Sequence, residues 1–242
     1  MAQHTASIAE LLSLLRDGDI TNPRAIFAGH NATFLADVTL GAASCPAVYK
    51  PRDGETPLWD FPEGTLYRRE YLAYRVSEAL GWSLVPPTAI REGPHGVGSL
   101  QLFIEAMPEV HYFNLVETRR DDLVPMAIFD CLINNTDRKG GHVLQAKSDG
   151  HLWGIDHGLA FHTEPKLRTV MWDLDEEPLP DGLRPTIHRL CDHHDLRKEL
   201  MAHLSRQEVD AFYKRAEAVA AAKTVPFKLF ADRWRPYPWP PL

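Results

Sequence analysis

The sequence predicts an α+β fold, with a small antiparallel sheet in the first half and mainly helices in the second. Three observations carry this. The first half holds β-like runs at 24–28 (RAIFA), 33–38 (TFLADV) and 46–50 (PAVYK), parted by turns rich in Gly, Asn and Ser. The second half holds an apolar segment from Asp122 to Ile133 and helical patterns over 186–203 and 205–222. The composition is that of a globular chain, with 44% hydrophobic and 24% charged among 242 residues. That balance excludes a disordered or collagenous chain, and the length is ample for a large core.

Each element has its own signal. Ser7 and Glu10 form a capping box ahead of Leu11, Leu12, Leu14 and Leu15, which predicts a short first helix ended by Asp17-Gly18-Asp19. After the three strands, a turn-rich loop from Pro51 to Gly64 leads to a helix over 65–80, with Leu66, Leu72, Tyr74, Val76 and Leu80 apolar and Gly81 as its stop. This helix is read as the cover of the sheet. Strands over 84–91 and 98–105 flank Gly93-Pro94-His95-Gly96, and Met107-Pro108 marks a boundary. Residues 143–147 and 151–155 predict a hairpin closed by Ser148-Asp149-Gly150. Ser205 and Glu208 cap the Ala-rich last long helix. The prolines of the tail, DRWRPYPWPPL, forbid a helix, and its tryptophans are expected to dock on the body.

Lys and Arg number 26 against 33 Asp and Glu, a formal charge of −7, which counts against a nucleic-acid partner. MAQHTASIAELL has no cationic leader region, and no apolar run approaches the ~18 residues of a membrane span, so a cytoplasmic protein without stable membrane insertion is expected. Cys45, Cys131 and Cys191 are odd in number and far apart, as expected of reduced thiols. His188, Cys191, His193, His194 and His203 fit no standard zinc spacing. The acidic run Asp173–Glu177 reads as a solvated loop.

The sharpest chemical signal is Asn134-Asn135-Thr136-Asp137-Arg138-Lys139-Gly140-Gly141-His142, a polar loop between an apolar helix and a strand. Ile155-Asp156-His157-Gly158 follows at the end of the next strand. Phosphoryl transfer needs a carboxylate to orient or deprotonate a hydroxyl, metal ligands and cations for developing charge. Asp137 suits the first role, Asp156 and His142 the second, and Arg138 or Lys139 the third. The competing reading is that Asp137 and Asn135 only close a turn. Lys50, on a strand, and Glu70, near the start of the 65–80 helix, add the pair by which kinase folds hold α- and β-phosphates. A lone strand Lys would be a solvated edge residue.

In this order, Lys50, Glu70, NNTDRKGGH and GIDHGLAF resemble the phosphatidylinositol 3-/4-kinase-like superfamily, most closely the type II phosphatidylinositol 4-kinases and their small bacterial, actinobacterial-type relatives. The carrying motifs are NTDR at 135–138 and IDHGLAF at 155–161, with GWSLVPPT at 81–88 in support; the resemblance covers about residues 22–165. It implies a two-lobed protein-kinase-like fold, with an N-lobe over 1–106, a C-lobe over 107–242 and the nucleotide between them. It implies that Lys50 and Ser44 meet the phosphates, that Glu70 anchors Lys50, and that Phe103, Ile104, Glu105 and Ala106 form the adenine hinge. Asp137 would be the catalytic-loop aspartate, and Asp156 would ligate Mg²⁺ or Mn²⁺.

Two departures stand out. His142 replaces the family's usual Asn, and imidazole suits softer ions than Mg²⁺. The turn at 39–44 has one glycine, Gly41, against the three of a protein-kinase Gly-rich loop. The expectation is therefore an ATP-dependent phosphotransferase acting on a hydroxyl of a protein, small molecule or inositide. A nucleotide-binding pseudokinase is the alternative, and transfer of AMP a weaker one.

Overall fold

The computed structural model describes residues 7–26 and 31–242; the last two residues of the 24–28 run lie outside the described part. The chain forms two compact units, Met1–Tyr74 with Pro86–Ile104 and Arg75–Val85 with Glu105–Leu242.

The first unit is built on helix α1 (Ile8–Asp17), strands β1 (Asp19–Ile26), β2 (Thr33–Leu40), β3 (Ala43–Pro51), β4 (Thr88–Gly93) and β5 (Gly96–Leu102), and most of helix α2 (Leu66–Leu80). The five strands form one antiparallel sheet in the order β1-β2-β3-β5-β4. The Ser7–Glu10 capping box is present and starts α1. Leu14 and Leu15 of α1 pack with Val38, Ala47, Tyr49, Ala89 and Leu100 in the sheet core. The cover on this core thus comes from α1, not from the longer helix to which the sequence reading gave that task. Strand β3 alternates, burying Ala47 and Tyr49 and leaving Val48 and Lys50 half-buried on the opposite face. Between β2 and β3 the chain turns through Gly41 and Ala42. Gly41 has φ of +60°, a conformation open to glycine at no steric cost.

Two expected strands are displaced. Pro86 and Pro87 lack the N–H a ladder needs, so β4 begins at Thr88 rather than 84. Strand β5 ends at Leu102, and residues 103–105 lie outside it.

The second unit contains α3 (Tyr112–Leu115), α4 (Arg120–Ile133), the hairpin β6 (Val143–Gln145) with β7 (Leu152–Gly154), α5 (Leu183–Cys191), α6 (His194–His203), α7 (Arg206–Ala221) and α8 (Phe227–Phe230). Helix α4 is buried along most of its length. The pattern over 186–203 resolves into two helices, because His193 leaves helical geometry and its ring accepts the N–H of Leu196 to cap α6. The Ser205–Glu208 box caps α7.

The acidic run is solvated only in part: Asp173 and Glu176 are exposed, but the run is also anchored. Arg120 pairs with Glu177, Lys228 pairs with Asp175 and Glu176 at 3.1 and 2.6 Å, and Leu174 is buried beneath. The tail also differs from expectation. Its backbone docks, with the Pro236 carbonyl accepting Thr169 N–H at 3.0 Å and Trp172 Nε1–H at 3.2 Å, while Trp234 and Trp239 face outward at 92% and 88% exposure. Carbonyls of prolines remain good acceptors, so the main chain rather than the indoles fastens this segment. Among the described residues no helix is long and apolar enough to cross a membrane.

Candidate active site

In the first unit, Lys50 of β3 and Glu70 of α2 form an ion pair. Glu70 is buried and Lys50 half-buried, so the carboxylate is the more desolvated partner of the two. The start of α2 is fixed by Glu55, eleven residues before Leu66. Its two oxygens accept the N–H groups of Leu66 at 3.0 Å and Tyr67 at 2.7 Å. This cap satisfies orphan donors at the positive end of the helix that presents Glu70. Burial raises the Glu55 carboxyl above its ordinary range, and the two N–H bonds oppose the rise. Ser44 lies exposed on β3 opposite Thr39. Phe103 N–H bonds the Pro46 carbonyl at 3.1 Å.

In the second unit, Glu105 and Ala106 run beside the hairpin. Lys147 N–H bonds the Glu105 carbonyl, and Ala106 pairs with Ala146. The loop after α4 is shaped by Asn134, whose φ of 53° and ψ of 58° turn the chain at the helix end. Its side-chain amide donates to the carbonyls of His162 and Glu164 and accepts Lys166 N–H. The next turn is closed by Asn135 Oδ1, which accepts Asp137 N–H at 3.0 Å. The 155–161 segment is stitched to this loop by Ile155 N–H to the His142 carbonyl, Thr136 N–H to Leu159 and Phe161 N–H to Ile133.

These bonds bring His142 and Asp156 together. His142 Nε2 lies 3.2 Å from Asp156 Oδ2, and Nδ1 lies 3.0 Å from the Asp137 carbonyl. Asp156 is half-exposed, with φ of 60°, in the left-handed region that Asp tolerates better than most residues. Asp137 is half-buried, and its pKa is pushed up to about 6. Desolvation is the main cause, Lys139 at 3.4 Å opposes it, and the Asp156 charge adds to it.

Arg138 is the one expected catalytic side chain that turns away. It is fully buried and forms a two-pronged pair with Asp130 at 2.8 and 2.9 Å. Its remaining donors meet the carbonyls of His142 and Ile155 and the ring of His157. A guanidinium has five N–H donors and all are engaged, so Arg138 braces the loop and Lys139 is the cation beside Asp137. Asp130, which sequence reasoning missed, had left a trace: a carboxylate inside the apolar run AIFDCLI is costly to bury without a partner. Among the described residues, no cluster of three or more His, Cys, Asp or Glu is arranged to hold a metal.

Comparison with known proteins adds the family. The phosphatidylinositol 3- and 4-kinase family model matches residues 89–214, from β4 into α7. The chain belongs to the phosphatidylinositol 3- and 4-kinase family. The chain is also 38% identical to Protein Rv2133c of Mycobacterium tuberculosis, over 94% of each chain. The chain's fold is the two-lobed α+β kinase-like one, as similar solved structures show. A Golgi casein kinase with Mn and ADP bound shares 17% identity at a TM-score of 0.57, over 97% of this chain and 80% of that one. The Helicobacter pylori proinflammatory kinase CtkA shares 10% at 0.51, over 87% and 94%. As a member of this family the chain is a kinase-like phosphotransferase.

Proposed function

We propose that the chain is an ATP- and divalent-metal-dependent kinase that moves the γ-phosphate of ATP to a hydroxyl of a protein, small molecule or inositide. The observation that carries this reading is the pairing of His142 with Asp156. Nδ1 lies 3.0 Å from the Asp137 carbonyl and 3.5 Å from the Lys139 backbone nitrogen; in the tautomer set by the shorter contact it donates to the carbonyl, and the Nε2 lone pair faces a carboxylate oxygen 3.2 Å away. In that tautomer the two facing acceptors leave room for a proton or a cation between them. A metal-bound histidine characteristically donates its other N–H to a carbonyl or carboxylate, and the Asp137 carbonyl fits that role here. The donor set, one carboxylate and one imidazole, suits Mn²⁺ better than Mg²⁺, and phosphate and water oxygens would complete the shell. A divalent ion bound there supplies positive charge to the phosphate oxygens. The Mn and ADP of the Golgi casein kinase support the same choice.

The chain's own residues do the rest of the work in this reading. Lys50, oriented by Glu70, neutralises the α- and β-phosphates, with Ser44 and nearby backbone N–H groups in support, and the Phe103–Ala106 backbone receives adenine. Asp137 accepts the proton of the acceptor hydroxyl as its oxygen bonds phosphorus and the bond to the ADP oxygen breaks. A carboxyl tuned to about 6 is ionised at neutral pH yet basic enough to take a proton. Lys139 stands beside it as a counter-charge.

The test is ATP turnover by purified protein with Mg²⁺ or Mn²⁺, wild type against Asp156→Ala. Turnover in the wild type that falls by at least ~10² in the variant supports the assignment, and equal rates reject it. Nucleotide binding in a thermal-shift titration without transfer, even with Mn²⁺, would favour a binding-only pseudokinase, which the His142 departure makes the second reading.

A further inference from the structure

We propose that Asp130 is the positioning residue of this kinase: from the last turns of α4 it sets the backbone on both sides of Asp137 and, through Arg138, the register of the Asp156 segment against His142. The inference rests on the phosphotransfer reading above.

The geometry runs outward from one carboxylate. Asp130 is fully buried and accepts three side-chain donors, Asn135 Nδ2 at 3.0 Å, Arg138 Nη2 at 2.9 Å and Arg138 Nε at 2.8 Å. Its own carbonyl accepts Asn135 N–H at 3.0 Å. Asn135 passes this restraint on, because its Oδ1 holds the N–H of Asp137. Asp137 is therefore flanked, two residues before and one residue after, by side chains tied to the same carboxylate.

Arg138 carries the restraint to the second loop. Its Nη1 donates to the His142 carbonyl and to the Ile155 carbonyl, both at 3.0 Å, and its Nη2 meets His157 Nε2 at 2.7 Å. One guanidinium thus grips the backbone of His142 and of the residue before Asp156, and the ring of the residue after it. The spacing of the His142–Asp156 pair follows from where Asp130 holds that guanidinium.

Energetics favour positioning over stability as the reason for this cluster. Replacing a buried ion pair by apolar residues of like volume is often neutral or stabilising, so its presence is weak grounds for a stabilising role. Its donors are spent on loop carbonyls and on the two residues beside Asp137, where misplacement by about 1 Å can cost ~10²-fold in rate.

The experiment uses the full-length protein and three variants: Asp130→Asn, Asp130→Glu and the charge-neutral pair Asp130→Asn/Arg138→Gln. The neutral pair carries the test if the single change, which leaves a buried guanidinium without its carboxylate, does not fold. Ligand-free hydrogen exchange is read at the amides of Asp137 and Ile155 and, as control, within α7; kinetics with ATP and Mn²⁺ are read in parallel. The expected result is local. The Asp137 and Ile155 amides exchange at least about 10-fold faster while α7 keeps its protection, kcat falls about 10²-fold, the ATP KM stays within about threefold, and Asp130→Glu recovers part of the rate. Folded variants with wild-type exchange at both amides, or with unchanged kcat, overturn the proposal, as does loss of protection spread equally through α7. If the wild type turns over no ATP, the phosphotransfer reading fails, whereas the exchange arm still decides whether Asp130 sets the two loops.

Discussion

The Lys50–Glu70 pair and the Asp137–His142–Asp156 group are built in opposite ways. The first is two side chains on regular elements, one from a strand whose alternation fixes which way Lys50 faces and one from a helix whose start is fixed by Glu55. The second sits on irregular backbone, where Asn134 and Asp156 adopt left-handed conformations and a buried ionic cluster fixes the turns. A strand and a helix impose direction through their periods, but a loop borrows direction from whatever it bonds. Lys50 and Glu70 should therefore tolerate conservative change with graded losses, and the loop group should not.

The sharpest way to break that contrast is Asp137→Asn. ATP turnover is expected to fall by about 10³-fold. The same change should stabilise the fold. The native carboxyl titrates at about 6 against an ordinary 3.8, so the native state holds its proton more tightly and the associated stability, present below pH 4, is lost as pH rises through 6. Removing the charge should then raise stability by about 1–3 kcal/mol at pH 8 and by nothing near pH 3, measured by denaturant unfolding in metal-free buffer. Wild-type turnover should decline as pH drops through about 6. A destabilised variant at pH 8 would contradict the buried-carboxylate account.

Next comes the first unit. Lys50→Ala should lower kcat/KM by about 10²-fold, mainly through the ATP KM, with Lys50→Arg retaining more, in steady-state assays over ATP concentration. It should also cost about 1–3 kcal/mol, because the buried Glu70 carboxylate loses the Lys50 ammonium. A smaller effect sharpens the loop side. His142→Asn should shift the rate ratio toward Mg²⁺ over Mn²⁺ by about 10-fold, since an amide oxygen suits the harder ion. The smallest expected effect is that of Glu55→Gln, about 1 kcal/mol in stability and a few-fold in ATP KM, from a weakened α2 cap.

The same contrast explains what was legible in the sequence. Period and capping located α1, β2, β3, α2, α4, the β6–β7 hairpin and α7, because each leaves several residues of repeat or a Ser–Glu box. The four-residue helices α3 and α8 are too short to show a period, and β4 was read too early because Pro86 and Pro87 sit in an otherwise apolar run. In the candidate site, residue types and order singled out Asp137, His142 and Asp156, and the structure brings the last two within 3.2 Å of each other. They were not enough for Arg138, because adjacency to Asp137 in the chain says nothing about which way a loop side chain points. Asp130 was the missing partner, visible only as a misplaced charge in an apolar helix. The tail tryptophans failed for a related reason: the cost of exposing indoles was weighed, but the carbonyls of Pro236 and Pro241, which bond Thr169 and Gly140, were not.

The most direct test is a crystal structure with Mn²⁺ and ADP, read by the anomalous signal of manganese. The account predicts a peak roughly 2.0–2.3 Å from both an Asp156 oxygen and His142 Nε2. A manganese peak away from Asp156, or one that leaves His142 turned toward another partner, would contradict it.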